Sequence, residues 1–361
     1  MPSAPHDPTP QDVDVDKPLN KRRALLEWYD AHGRVLPWRE KSSPARAPDP
    51  YKIWVSEIML QQTTVAATIP YFTRFMAAFP DLKSLAQAPL EEVLRLWAGL
   101  GYYARARSLH RAAQALAALG NYPQDEAGWR RLPGIGPYTG AAIAAIAYDQ
   151  PANVVDGNVE RVMARLHAVE APLPGAKAQL RELAGALVGV ERPGDYAQAL
   201  MDLGATICTP RSPNCPACPW AIWCRGLATG APARFPLKSP KAARPHRQGI
   251  AFALLRKDAV FLIRRPPRGL LGAMPALPST PWREEGWDLG EALAHAPSQA
   301  HWRPLGDVAH VFTHFSLTLS VWTASGDTSI EGAWTPIETL PSAGLPSVFA
   351  KAAALILADR N

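Results

Sequence analysis

From Lys21 to Cys224 apolar residues recur at spacings of three and four, as in Leu82, Leu85, Leu90, Val93, Leu94 and Trp97. That period lines one face of a helix. Pro and Gly interrupt the pattern every ten to twenty residues, so the segment predicts many short helices, among them Tyr51 to Val65 and an Ala-rich stretch from Gly140 to Ala147. Beyond Arg247 the period changes: Gly249 to Leu255 and Val260 to Arg264 are short apolar runs about a Lys257-Asp258 turn, and Phe315 to Thr323 alternates before Gly326-Asp327. These read as strands, and Val348 to Ala358 returns to an amphipathic helix. The pattern predicts a mainly α domain over 19–224 and a smaller α+β domain over 248–361. Between them, 225–247 holds six Lys or Arg, no acid and Pro232, Pro236, Pro240 and Pro245, which predicts a basic, extended connector. Residues 1–18, with four Asp, five Pro and no period, predict a mobile tail.

At 361 residues, 47% of them hydrophobic and 19% charged, the chain can bury two cores, which excludes disorder throughout. A net charge of +6 favours a polyanionic partner. The longest apolar run, Gly140 to Tyr148, is shorter than the roughly 18 residues that span a bilayer, and no basic flank precedes an apolar segment at the start. The expectation is a cytoplasmic, nucleoid-associated monomer with no membrane contact.

All four cysteines lie between Cys208 and Cys224, spaced by six, two and five residues through Cys215 and Cys218. With no export signal this argues for metal binding over disulfides. Four thiolates from one loop can saturate a cubane iron-sulfur cluster, while tetrahedral zinc usually draws two close pairs from distant turns. Arg211 is the one cation inside the loop. A second motif, Leu132-Pro133-Gly134-Ile135-Gly136-Pro137-Tyr138, leads into the Ala-rich stretch. Gly134 and Gly136 permit a tight turn against a phosphate, and the following helix aims free N–H groups at it. Two carboxylates stand out. Glu57 has Ile53, Trp54, Ile58, Met59 and Leu60 about it, and such surroundings would raise its pKa and keep a proton on it. Asp156 precedes a helix carrying Arg161 and Arg165, where an N-terminal cap is the structural alternative to chemistry.

The cysteine loop, the hairpin and Ser56-Glu57-Ile58-Met59-Leu60-Gln61-Gln62-Thr63 together resemble the endonuclease III and MutY-type DNA glycosylases, adenine-excising MutY above all. The resemblance runs from about Leu19 to the end, and it implies a helix-hairpin-helix glycosylase domain with a 4Fe-4S cluster on Cys208, Cys215, Cys218 and Cys224. It assigns Glu57 to protonating N7 of adenine, Asp156 with Asn158 to supporting the sugar cation, and Gly134 and Gly136 to the DNA backbone. Gln62 would fill space at the lesion, Trp38 and Arg39 in Leu36-Pro37-Trp38-Arg39 would wall the adenine pocket, and Gln198 would read the flipped base. Tyr102 in Gly99-Leu100-Gly101-Tyr102-Tyr103 would wedge beside 8-oxoguanine, although Trp38 and Tyr102 taken singly also suit a core. Tyr138 stands where bifunctional relatives carry the lysine that forms a Schiff base, so the chain is expected to cut the glycosidic bond and leave the strand intact.

Phe261 to Pro278 resembles the Nudix, or MutT-like, domain that MutY proteins use to recognise 8-oxoguanine. No carboxylate lies between Asp258 and Glu284, which disfavours Nudix hydrolysis, and Arg283-Glu284-Glu285-Gly286 reads as a solvated turn. Phe312-Thr313-His314 resembles the family's Phe-Ser-His signature with Thr313 replacing serine, which keeps a hydroxyl and adds a methyl. The implied activity is a monofunctional adenine glycosylase of base excision repair acting on double-stranded DNA with adenine opposite 8-oxoguanine or guanine. A glycosylase for thymine or oxidised pyrimidines and a non-enzymatic iron-sulfur DNA-binding protein are the alternatives.

Overall fold

The computed structural model describes residues 17–39, 48–240, 243–267, 269–326, 330 and 333–360. Most of the expected tail, 1–16, lies outside the described residues, as does Asp327 of the Gly326-Asp327 turn. In chain order the helices are α1 (Pro18–His32), α2 (Pro50–Leu60), α3 (Val65–Ala78), α4 (Leu82–Gln87), α5 (Leu90–Trp97), α6 (Ala104–Leu119) and α7 (Glu126–Arg130). Then follow α8 (Pro137–Tyr148), α9 (Gly157–Leu166), α10 (Lys177–Gly185), α11 (Pro193–Asp202), a π-helical turn (Leu203–Ile207) and α12 (Arg225–Ala228). The remainder holds β1 (His246–Arg256), β2 (Ala259–Arg264), β3 (Pro275–Ala276), α13 (Leu289–Leu293), β4 (Arg303–Val311), β5 (Ser316–Ser325), β6 (Ala333–Pro336) and α14 (Ser347–Ala358).

Local chemistry sets these boundaries. Pro18 opens α1, so the expected tail stops short of position 18. The helix expected over Tyr51 to Val65 ends at Leu60, because Gln62 turns left-handed at φ 58 and the Thr64 side chain accepts from Ala67 N to start α3. The Leu82 to Trp97 pattern is likewise split, with an Asp81–Ser84 capping box starting α4 and Pro89 standing before α5.

The chain packs as two compact units, Met1–Ile58 with Leu119–Pro240, and Met59–Ala118 with Lys241–Asn361. In the first, Leu25 and Leu26 of α1, Ala141, Ala142 and Ala145 of α8, and Val159, Val162 and Met163 of α9 share one core. Part of the expected connector belongs to that core: Arg225–Ala228 is helical, and Phe235, 2% exposed, accepts from Arg165 Nε through its carbonyl at 3.0 Å. Counting prolines misses this, since it does not register the one aromatic, Phe235, that is buried there.

In the second unit the strands form a six-stranded sheet, ordered β3-β2-β1-β5-β4 with β6 beside β2. β1 and β5 pair in parallel over ten residue pairs, from His246↔Ser316 to Leu255↔Ser325, and the other pairings are antiparallel. Strand alternation divides β1 between two cores. Ala251 and Ala253 join Phe349, Ala352 and Ile356 of α14, whereas Ile250 and Phe252 join Ala292, Trp302 and Trp322.

Candidate active site

Asp49 accepts from Tyr51 N at 2.9 Å to start α2, and the helix then carries Glu57 into the interior. Its neighbours Ile53, Trp54 and Ile58 are buried, and Glu57 itself is 5% exposed. The hydroxyl of Tyr138, the second residue of α8, donates to Glu57 Oε2 at 2.8 Å and also lies 3.3 Å from Met201 Sδ. Burial raises the Glu57 carboxyl to about 7; the hydrogen bond from Tyr138 works against the rise, the negative charge of Asp156 adds to it, and Arg39 opposes it. Tyr138 is itself pushed well above its ordinary value, first by burial and then by the charges of Glu57 and Asp156.

Asp156 caps α9. Its Oδ1 accepts from the main-chain N of Asn158 at 2.9 Å and of Val159 at 2.8 Å, and its Oδ2 from Asn158 Nδ2 at 2.8 Å. These bonds fix the carboxylate and leave lone pairs on Oδ2. Asn158 is held in turn by Arg161, whose Nη2 donates to Asn158 Oδ1 at 2.9 Å and to the Gly204 carbonyl at 2.7 Å, while Nε donates to the Cys208 carbonyl at 2.8 Å. Gly204 permits this approach, since a Cβ there would stand 2.6 Å from Asn158 Cβ.

Sequence reasoning missed Asp202, the fully buried last residue of α11. Arg39 reaches it with two nitrogens, at 2.7 and 2.8 Å, and Arg34 donates Nε at 2.7 Å and its main-chain N at 2.9 Å. Burial would raise the Asp202 carboxyl, but Arg39 and then Arg34 outweigh it and hold it low. Arg39 feels the opposite balance: burial pulls it down, and Asp202 with Glu57 lifts it above its usual value. No local signal points to Asp202, whose partners are 163 and 168 residues away. Trp38, 5% exposed, is buried in the interior, and Gln198, 8% exposed, donates from Nε2 to the Gly194 carbonyl at 3.3 Å within α11.

Gly134 takes φ 80, a conformation that favours glycine, and Gly136 caps α8 in an extended conformation with open space where a Cβ would stand. Pro137 and Tyr138 follow at the helix start.

The four cysteines share one small cavity with Arg165, Ile207 and Leu227. Arg165, 2% exposed, donates through Nη1 to Cys208 Sγ at 3.2 Å and to the Thr209 carbonyl at 2.8 Å, and through Nη2 to the Pro210 carbonyl at 2.9 Å. Burial pushes the Cys218 thiol up to about 12 and raises Cys215 and Cys224. Among the described residues no group of three or more His, Cys, Asp or Glu is arranged about a single metal ion. Four sulfurs lining one cavity, one of them facing a guanidinium, fit a polynuclear group that spreads its ligands.

The second unit holds another set of expected residues. Gln62 is exposed, and Tyr102 is 46% exposed at φ 51. Thr313 Oγ1 donates to the Tyr102 hydroxyl at 3.1 Å. Both line a cavity of about 570 Å³ that also meets Arg107, Leu270, His310 and His314. Arg107 and His310 carry no motif that marks them from sequence.

Residues 55–186 match the HhH-GPD superfamily base excision DNA repair proteins, and residues 250–355 match the NUDIX domain. The chain is 37% identical to the adenine DNA glycosylase of Homo sapiens, over 91% of this chain and 70% of that one. It is 33% identical to the adenine DNA glycosylase of Schizosaccharomyces pombe, over 84% of this chain and 81% of that one. A solved thermostable thymine-DNA glycosylase superposes with a TM-score of 0.53 at 28% identity, over 60% of this chain and all of that one. Identity at this level over most of both chains, with both domains matched, makes this chain a member of the adenine DNA glycosylase family.

Proposed function

We propose that the protein excises adenine paired with 8-oxoguanine, or with guanine, from double-stranded DNA, releasing free adenine and leaving an abasic site. The observation that carries the reading is Glu57: a buried carboxyl raised to about 7, hydrogen-bonded by Tyr138 and within electrostatic reach of Asp156. A departing purine needs a proton, and the sugar it leaves turns cationic. An acid near 7 is half protonated at neutral pH and can deliver that proton to N7 of an extruded adenine. Asp156, fixed by Asn158 and the start of α9, stands as the anion that supports the sugar until water attacks.

The N–H groups at the start of α8, behind the open space at Gly136, suit a DNA phosphate. Gln198 and the Trp38-Arg39 segment would face the turned-out base, and the energy of unstacking it comes from duplex contacts elsewhere. Tyr138 offers a phenol and no amine, so no Schiff base with the sugar forms there. Cys208, Cys215, Cys218 and Cys224 would hold a 4Fe-4S cluster, and the iron would supply the charge that keeps buried thiols ionised. Arg161 and Arg165, a helical turn apart on α9, bind the backbone of the cysteine loop and so tie it to the helix that Asp156 caps.

In the second unit the cavity at Tyr102 and Thr313 has the volume of a small-molecule site, an aromatic face and a hydroxyl, which suit an oxidised guanine. Glu57→Gln should bind the mispaired duplex as tightly as wild type and release no adenine, and measurable turnover by that variant would overturn the assignment.

A further inference from the structure

Besides the hairpin turn at Lys257, two exposed turns of the second unit hold a bulky residue in the left-handed region, where non-glycine residues are uncommon and strain collects at functional sites. Gln62 has φ 58 and Tyr102 has φ 51, and both side chains reach solvent. Neither conformation is therefore imposed by burial of the residue itself. One guanidinium serves both turns. Arg105, in the first turn of α6, donates through Nη1 to the carbonyls of Met59, at 3.1 Å, and of Gln61. Through Nη2 it donates to the carbonyls of Leu100 at 3.4 Å and Gly101 at 3.2 Å. Gln61 and Gly101 immediately precede the two left-handed residues, so each strained peptide is gripped by a different nitrogen of one rigid plane. The guanidinium carbon also lies 5.3 Å from the centre of the Tyr102 ring.

The placement is costly for the helix. A cation in the first turn stands against the helix dipole, and burial pulls the Arg105 guanidinium down to about 10. A neutral residue would suit the start of α6 better, and the hydrogen bonds to two turns account for the guanidinium here. A planar fork can hold two separate turns, whereas a lysine offers one nitrogen on a flexible stem.

We infer that Arg105 is a positioning residue that presets Gln62 and Tyr102 as a pair, so that both meet the damaged base pair already in their bound conformation. The inference rests on the proposed function, which puts these side chains at the lesion. Ordering them beforehand removes a cost that binding would otherwise carry.

The test uses the full chain and measures affinity for a duplex with 8-oxoguanine opposite a non-cleavable adenine analogue, relative to an undamaged duplex. Arg105→Lys should lower that preference by about tenfold, while in a Gln62→Ala/Tyr102→Ala background the same change should cost less than about twofold, because nothing is left to position. An equal loss in both backgrounds overturns the inference. A wild-type protein without preference for the damaged duplex would sink the proposed function instead. In that event, or if Arg105→Lys does not reach a folded state by thermal melting, hydrogen exchange on the wild type decides. A shared clamp makes 59–63 and 99–103 open as one cooperative unit, and independent opening of the two segments refutes it.

Discussion

Replacing Glu57 by glutamine should stabilise the protein at alkaline pH, and the size of the effect follows from the site. The carboxyl ionises at about 7 in the folded chain against 4.5 ordinarily, because burial disfavours its charge. The folded state therefore binds the proton more tightly than the unfolded one. Its contribution to stability is fully present below 4.5 and lost as pH rises through about 7. A difference of about 2.5 pH units at about 1.4 kcal/mol each gives about 3 to 4 kcal/mol at full ionisation. Glutamine keeps the volume and an acceptor for the Tyr138 hydroxyl but has no proton to lose. At about pH 4 the variant should match wild type closely, and near pH 8 it should be more stable by about 3 kcal/mol, or roughly 5–10 °C in melting temperature. Urea unfolding of both proteins, followed by tryptophan fluorescence across that range, measures the difference. Stability curves that run parallel from about pH 4 to 8 would refute the raised carboxyl, whatever the catalytic behaviour.

The same site gives the excision pH profile: single-turnover rates should fall about tenfold per pH unit above about 7, where Glu57 loses its proton. Tyr138→Phe removes the hydrogen bond that holds that value down, so the alkaline limb should move to higher pH, as rate measurements between pH 6 and 9 would reveal. Arg161→Gln removes one hydrogen bond from Asn158 Oδ1 and one from the Cys208 carbonyl, which keeps its bond from Arg165, and should slow excision by about 10- to 100-fold while lowering iron content per chain, read by kinetics and metal analysis. Thr313→Ala removes the hydroxyl that meets Tyr102, and should shrink the preference for 8-oxoguanine over guanine more than it slows excision; competition between the two duplexes checks this.

What was legible in the sequence was whatever a short motif carries. Glu57 within its apolar run, Asp156 before a helix, the Gly134–Gly136 turn and the cysteine spacing each declare a local environment, although Tyr138 and Arg165, which complete the surroundings of Glu57 and Cys208, come from elsewhere in the chain. The break at Gln61–Thr63 was not legible, because apolar periodicity continues through it while the left-handed Gln62 ends the helix. Asp202 and Arg105 were invisible for a different reason. Their meaning lies in partners brought together by folding: Arg34 and Arg39 from the far end of the domain for the first, and two separate turns for the second. Arg161 and Arg165 fall between these cases. Their four-residue spacing puts both on one face of α9, but that face acquires a purpose once the Cys208 loop packs against it. The connector shows the converse, since composition suggested an extended 225–247 and missed both the helix at Arg225–Ala228 and the burial of Phe235.

In the proposed reaction Glu57 delivers a proton to an adenine turned out of a mispair while Asp156 supports the sugar. The most direct measurement identifies the base released from duplexes carrying adenine opposite 8-oxoguanine, guanine or thymine, with the fate of the strand read on the same samples. Free adenine from the first two, an unbroken strand until the abasic site is cleaved by alkali, and no product from Glu57→Gln are predicted. Release of thymine, or adenine release that survives loss of the carboxyl, would contradict the account.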